Sequence, residues 1–273
     1  MGGEKGLPTL IPSPLRSRCN RCAVPPESPP MPRILPLLLL CASASAAEVA
    51  QFRAEDFGTP WRAALGTDAL VPVHAATNGW TAPFLDGGGV SFLPTNGIAS
   101  PLAFAPAATG AVSRVLLVAD CAEARPWAAL LDAPVGAALA PTPFSWDEPR
   151  FATSNCLGVV AVSVDGVADA AMPTNETPHL VEVVFPEPVA ASELYLGGHP
   201  ATPAWKRAWP GRVFEARFCF AALPDTDLAL LRAHLALEWD LPLPSAMPSG
   251  AAARLRALGV RPGPRLTSVL LLR

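Results

Sequence analysis

The sequence predicts an all-β fold, a sandwich of two antiparallel sheets closed by one short C-terminal helix. Three observations lead there. Strand-like runs recur at regular intervals with Gly, Pro or Asp-Gly signals between them, the spacing of a sandwich or jelly roll and not of βαβ units. With 33 Pro, 20 Gly and only 16% charged residues, the composition suits many short strands better than long solvated helices. Helical periodicity is strong in one stretch alone, where Leu228, Leu231, Leu235 and Trp239 recur on one face.

Residues 1–30 are Pro-rich and aperiodic and contain nothing that builds a core, so they read as disordered or as a mis-called N-terminal extension. Their Cys19-x-x-Cys22 pair is weak evidence for zinc or redox chemistry by itself. Met31 then opens a basic residue, an apolar run from Ile34 to Leu40 and the small residues Ala44-Ser45-Ala46. That order is a secretory signal peptide over 31–47, with a mature chain starting near Ala47 or Glu48. The run is too short for a transmembrane helix, which needs about 20 apolar residues.

The sandwich is expected over 48–241. Between Glu48 and Leu102 short apolar pieces are broken by Gly and Pro. Val90 to Leu93 is a strand after the 87–89 glycines, which are not a phosphate loop because no Lys-Ser/Thr follows. Arg114 to Ala119 reads as a buried central strand, Trp127 to Asp132 as the next. Cys156 to Val164 turns through Asp165-Gly166, a hairpin signal, into Val167. His179 to Phe185 alternates, with Leu180, Glu182 and Val184 on one face and Val181, Val183 and Phe185 on the other.

Glu193 to Leu196 is a strand ended by Gly197-Gly198, and a Pro-broken loop runs from His199 to Pro210. Arg212 to Phe220 is the last strand of the sandwich. Period 2 puts Phe214, Ala216, Phe218 and Phe220 on one face and Glu215, Arg217 and Cys219 on the other. The helix follows, with Asp225 and Asp227 at its positive end, and is expected at the sandwich edge. Residues 242–273 form a tail folded back on the domain: a Pro-rich link, a helix from Ala251 to Leu258 capped by Ser249 and stopped by Gly259, and a strand-like Leu266 to Leu272.

Without residues 1–47, which hold five basic and two acidic residues, 15 basic and 21 acidic residues remain, a net of −6. An acidic chain without a basic stripe argues against nucleic acid as a partner.

The stretch from Leu194 to Leu241 resembles the terminal signature of LamG-like, concanavalin A-like jelly-roll domains of secreted bacterial proteins. The matching residues are Gly197, Gly198, the W-x-G-x-V-x-E set of Trp209, Gly211, Val213 and Glu215, then Leu223, Asp225, Leu235 and Trp239. Two positions depart from the pattern: Pro224 replaces a capping Ser, and Cys219 replaces an aromatic. The resemblance implies a secreted or cell-surface jelly roll and leaves calcium open as a cofactor, though no calcium motif is present. It does not name an activity, since such folds serve many.

Chemistry-bearing groups are sparse. His74, His179, His199 and His234 show no metal-ligand spacing. Cys121, Cys156 and Cys219 are an odd number in the mature part; Cys121 and Cys156 lie at strand ends and are able to pair, while Cys219 reads as a buried hydrophobe. Glycosidases of this architecture use an E-x-D-x-x-E strand to set two carboxylates about 5 Å apart. None is present; Glu182 and Glu187 stand alone, and no catalytic residue is assigned.

Aromatics remain as ligand-binding candidates: Trp205 with Lys206 and Arg207 on the Pro-broken loop, and Trp146 beside Asp147. Each also has a plain reading as a core aromatic, and for Trp209 that reading prevails. Three functions stay open. They are a non-enzymatic domain binding carbohydrate or another extracellular surface, an adhesive module without a small-molecule site, and, least supported, a polysaccharide-degrading enzyme.

Overall fold

The computed structural model describes residues 48–74, 79–93, 98–106, 108, 110–123, 128–132, 161–198 and 208–263. They form a β-sandwich of two antiparallel sheets with helices against one of them. The larger sheet has eight described strands, numbered in chain order. They are β1 (Val49–Arg53), β5 (Phe84–Asp86), β6 (Gly89–Ser91), β9 (Ala111–Ala119), β11 (Ala161–Val164), β12 (Val167–Ala168), β13 (His179–Ala190) and β15 (Arg212–Cys219). Their order is β12-β11-β13-β9-β15-β6-β5, with β1 also paired to β15. The smaller sheet has the order β10-β14-β8-β3-β2, from β2 (Trp61–Arg62), β3 (Ala69–Pro72), β8 (Leu102–Phe104), β10 (Leu131–Asp132) and β14 (Tyr195–Leu196). A short parallel pair joins β4 (Trp80–Thr81) to β7 (Ile98–Ala99).

Alternation along the central strands builds two cores. Val115, Leu117 and Ala119 of β9, Val181 and Val183 of β13, and Ala50 and Phe52 of β1 point between the sheets. There Phe52, Phe104 and Phe218 make edge-to-face contacts with centroids 4.8–5.9 Å apart. The intervening Leu116, Val118, Leu180 and Val49 point outward into a second core beneath the helices. A strand buried on both faces has little room for polar residues, which is why Val115 to Ala119 reads as a continuous apolar run.

Most expected elements are present with moved ends. The Asp165-Gly166 hairpin forms with both residues at positive φ, 49° and 79°, as a type I′ turn requires. The strand expected over Val90 to Leu93 spans Gly89–Ser91; of that expected over Trp127 to Asp132, Trp127 lies outside the described residues and the strand among the rest is Leu131–Asp132. Cys156, the 1–47 segment and Leu266 to Leu272 lie outside the described residues.

Three expectations are corrected. Phe214 does not share a face with Ala216 and Phe218. Val213 stands opposite Ala119, and Glu215 opposite the very next residue, Val118, so a β-bulge at Phe214 reverses the alternation. Phe214 therefore joins Glu215 on the outer face and packs on Trp239 at 5.5 Å. The helix α1 (Asp225–Trp239) is not at the sandwich edge; it covers the outer face of the larger sheet. Nine of its fifteen residues are buried, more than one apolar stripe would place, because α2 (Ala251–Ala257) and residues 258–260 cover a second side. The cap at α2 is also Gly250 at φ 78°, not Ser249.

Candidate functional site

The Trp209-x-Gly-x-Val-x-Glu stretch is a structural staple. Trp209 is fully buried, its indole N–H donates to the Asp120 carbonyl at 2.8 Å, and its backbone N–H donates to the Gly197 carbonyl at 3.1 Å. Gly211 lies so close to that strand end that a Cβ would sit 2.2 Å from the Asp120 carbonyl oxygen. Val213 enters the inter-sheet core. Glu215, at the end of the motif, accepts from Gln51 at 2.7 Å, from Arg217 at 2.7 Å, and from the Trp239 indole N–H at 2.8 Å. So the Trp near the end of the helix and the Glu of the strand are partners, and the motif ties sheet, loop and helix together.

That staple fixes the base of the loop carrying Trp205, Lys206 and Arg207. These three residues and Trp146 lie outside the described residues. The loop's described ends, however, meet through the Trp209 to Gly197 hydrogen bond, and Gly197 in turn donates to Leu130. Gly197 is at φ 78°, and a Cβ there would strike Phe92. The two described ends, Gly197 and Trp209, thus meet at one point. Beside it, a depression of about 120 Å³ is lined by Gly211, Arg212, Asp120, Glu176 and Asp86. Arg212 grips Asp120 with Nε at 2.8 Å; this bond, against the opposing effect of partial burial, raises the guanidinium pKa.

Asp86 also lines a larger groove of about 410 Å³, which runs between the β5–β6 hairpin and the end of α1. Its walls are Arg53 and Glu55, Leu85 and Asp86, the Gly87-Gly88 turn and Trp239. Its size lies within the range of small-molecule sites, roughly 300–1,000 Å³. Trp239 is half-buried, its N–H spent on Glu215, while Asp86 is exposed. The Asp-Gly-Gly run was the one local signal for this site, since it marks a hairpin with an acid at its tip. Arg53 and Trp239 carried none.

Beneath the groove lies a buried polar cluster between sheet and helix. Arg53 donates to Glu238 at 3.0 Å, and Arg217 reaches Glu215, the Leu231 carbonyl and His234 Nδ1. Burial alone would raise the Glu215 pKa, but Arg217 beside it and the donated hydrogen bonds pull it down to about 2. Burial, with Arg217 and Arg53 adding to it, pushes His234 down to about 3, so the ring is neutral. Cys219, fully buried in the same layer, is raised to about 12 by burial.

The other titratable groups are placed as structure. Glu182, isolated in the sequence, is held by Arg114 and by Arg232 of α1 at 2.7 Å. His179 lies 2.6 Å from Asp165, and His74 stacks on Trp80 at 3.9 Å. Cys121 is buried with its Sγ 3.2 Å from the Glu123 carbonyl. Among the described residues, no group of three or more His, Cys, Asp or Glu is placed to hold a metal ion. No helix of the described residues is long and apolar enough to cross a membrane.

No family model, curated protein or solved structure matches this chain.

Proposed function

We propose that this chain is a secreted LamG-like domain that binds carbohydrate, or a surface that displays it, without chemical action on it. The observation that supports this reading is the groove beside Trp239. An aromatic wall, an exposed carboxylate at Asp86 and a charged pair at Arg53 and Glu55 are what hydroxyl-rich ligands need, one apolar face and polar partners beside it. Asp86 lines both this groove and the adjoining depression.

A glycan array with the purified protein, run with calcium and with chelator, tests it. Binding is expected, and Asp86→Ala should weaken it about tenfold or more, the worth of a hydrogen bond to a charged group. Thermal stability should be kept, because Asp86 is exposed. If Trp205→Ala abolishes binding and Asp86→Ala does not, the loop and not the groove is the site. No binding to any glycan overturns the reading. The exposed Phe84 and Leu85, at 39% and 51%, would then favour the adhesive alternative, with this edge of the sheet meeting a protein.

A further inference from the structure

Resting on the carbohydrate reading of the groove beside Trp239, we propose that its ligand is an amino sugar, a glycan carrying free ammonium groups, and not a neutral or acidic one. The charges that wall the groove, sorted into those already paired and those left over, point there.

Of the lining residues Arg53 is the one cation, and it is already taken. Its side chain is 4% exposed, donates to Glu238 at 3.0 Å, and has its Nε 3.2 Å from Glu55. Two lining carboxylates remain, Glu55 and Asp86. Arg261 reaches Glu55 at 2.9 Å but is shared with Asp56, so one positive charge stands between two negative ones. Asp86 is exposed and, among the described residues, makes no hydrogen bond or ion pair. Arg212, whose charge it adjoins, donates to Asp120 at 2.8 Å and feels Glu176 as well.

The groove therefore holds uncompensated negative charge beside an aromatic wall. An ammonium gains twice there, from the carboxylates and from the Trp239 ring. The sugar ring that carries it keeps the apolar contact with Trp239 and Leu85 that a neutral glycan would make. A uronate instead sets a further carboxylate against Glu55 and Asp86, with Arg53 held elsewhere. The chain beyond residue 47, at net −6, draws the same cationic ligands through its long-range field.

Titration calorimetry of the purified protein reads this directly, with short oligomers of glucosamine, N-acetylglucosamine, glucose and glucuronic acid in the same linkage. The measurement is made at about pH 6, where a free amine is charged. The glucosamine oligomer should bind at least about tenfold tighter than its N-acetylated counterpart, the same ring without the charge. That advantage should fall to about threefold or less in about 1 M salt, where the screening length is about 3 Å. Asp86→Asn suits the hairpin turn as well as Asp and removes only the charge, so it should shrink the advantage likewise. Equal binding of the glucosamine and N-acetylated oligomers, or tighter binding of the glucuronate one, overturns the amino-sugar assignment and leaves the carbohydrate reading standing. A preference for glucosamine that survives Asp86→Asn unchanged also overturns it, since the selecting charge would then lie outside this groove. Binding of none of the four overturns it as well, and with silence on the glycan array the carbohydrate reading falls too.

Discussion

Replacing Trp209 by Ala removes a fully buried side chain from the loop base, and its cost follows from its surroundings. The side chain has no exposure, lies in the inter-sheet core and donates a 2.8 Å hydrogen bond to the Asp120 carbonyl. Truncating a buried Trp to Ala costs about 3–5 kcal/mol from lost transfer free energy and the residual cavity. Loss of the indole donor, which helps satisfy a buried carbonyl, puts the value toward the upper end. For a domain of this size each kcal/mol shifts the midpoint by about 2–4 °C, so the melting temperature should fall by about 6–20 °C. Trp209→Phe separates the two parts. It keeps most of the apolar area and loses the N–H, and should cost about 1–3 kcal/mol. Calorimetry or urea unfolding of the three proteins decides the matter. A Trp209→Ala variant whose midpoint moves by less than about 2 °C would refute the staple, because a side chain of that burial cannot be removed so cheaply.

Gly211→Ala should destabilise by at least about 1–3 kcal/mol, as overpacking against a backbone atom that has nowhere to go; equal unfolding midpoints for variant and parent would show that the strand end yields. Cys219 should resist alkylation in the folded protein at pH 8. Its thiol is buried and raised to about 12, which leaves a thiolate fraction of about one in 10⁴. Peptide mapping after iodoacetamide treatment, native against urea-unfolded, checks this, and prompt native labelling at Cys219 would contradict the packing.

Local chemistry made much of the fold legible from residues alone. The alternation of His179 to Phe185 sorts into the two cores as read, because a strand with both faces buried still sends successive side chains to opposite sides. Asp165-Gly166 specifies its own turn through positive φ, and the Leu228, Leu231, Leu235 set specifies a helix. Each of these signals is complete within a few residues.

What escaped the sequence depends on residues far apart in it. The bulge at Phe214 is set by how β15 must meet β9 and still send Glu215 toward the helix; no residue within the strand announces it. The polar cluster joins Gln51 to Glu215 across 164 residues and Arg53 to Glu238 across 185, so neither the partners nor their burial show in any window of sequence. The groove is of the same kind, with walls from β1, the β5–β6 hairpin and the last residue of α1. By itself the sequence determined the His179 to Phe185 strand, the Asp165-Gly166 turn and the α1 helix, since periodicity and turn chemistry act over a few residues. The short strands before Ala111, other than the one after the 87–89 glycines, carried no such signal. Only the tertiary structure decided that the helix covers a sheet face, that a glutamate and a tryptophan 24 residues apart are partners, and that Asp86 stands at a concave surface. Burial and charge pairing are properties of what the folded chain brings together.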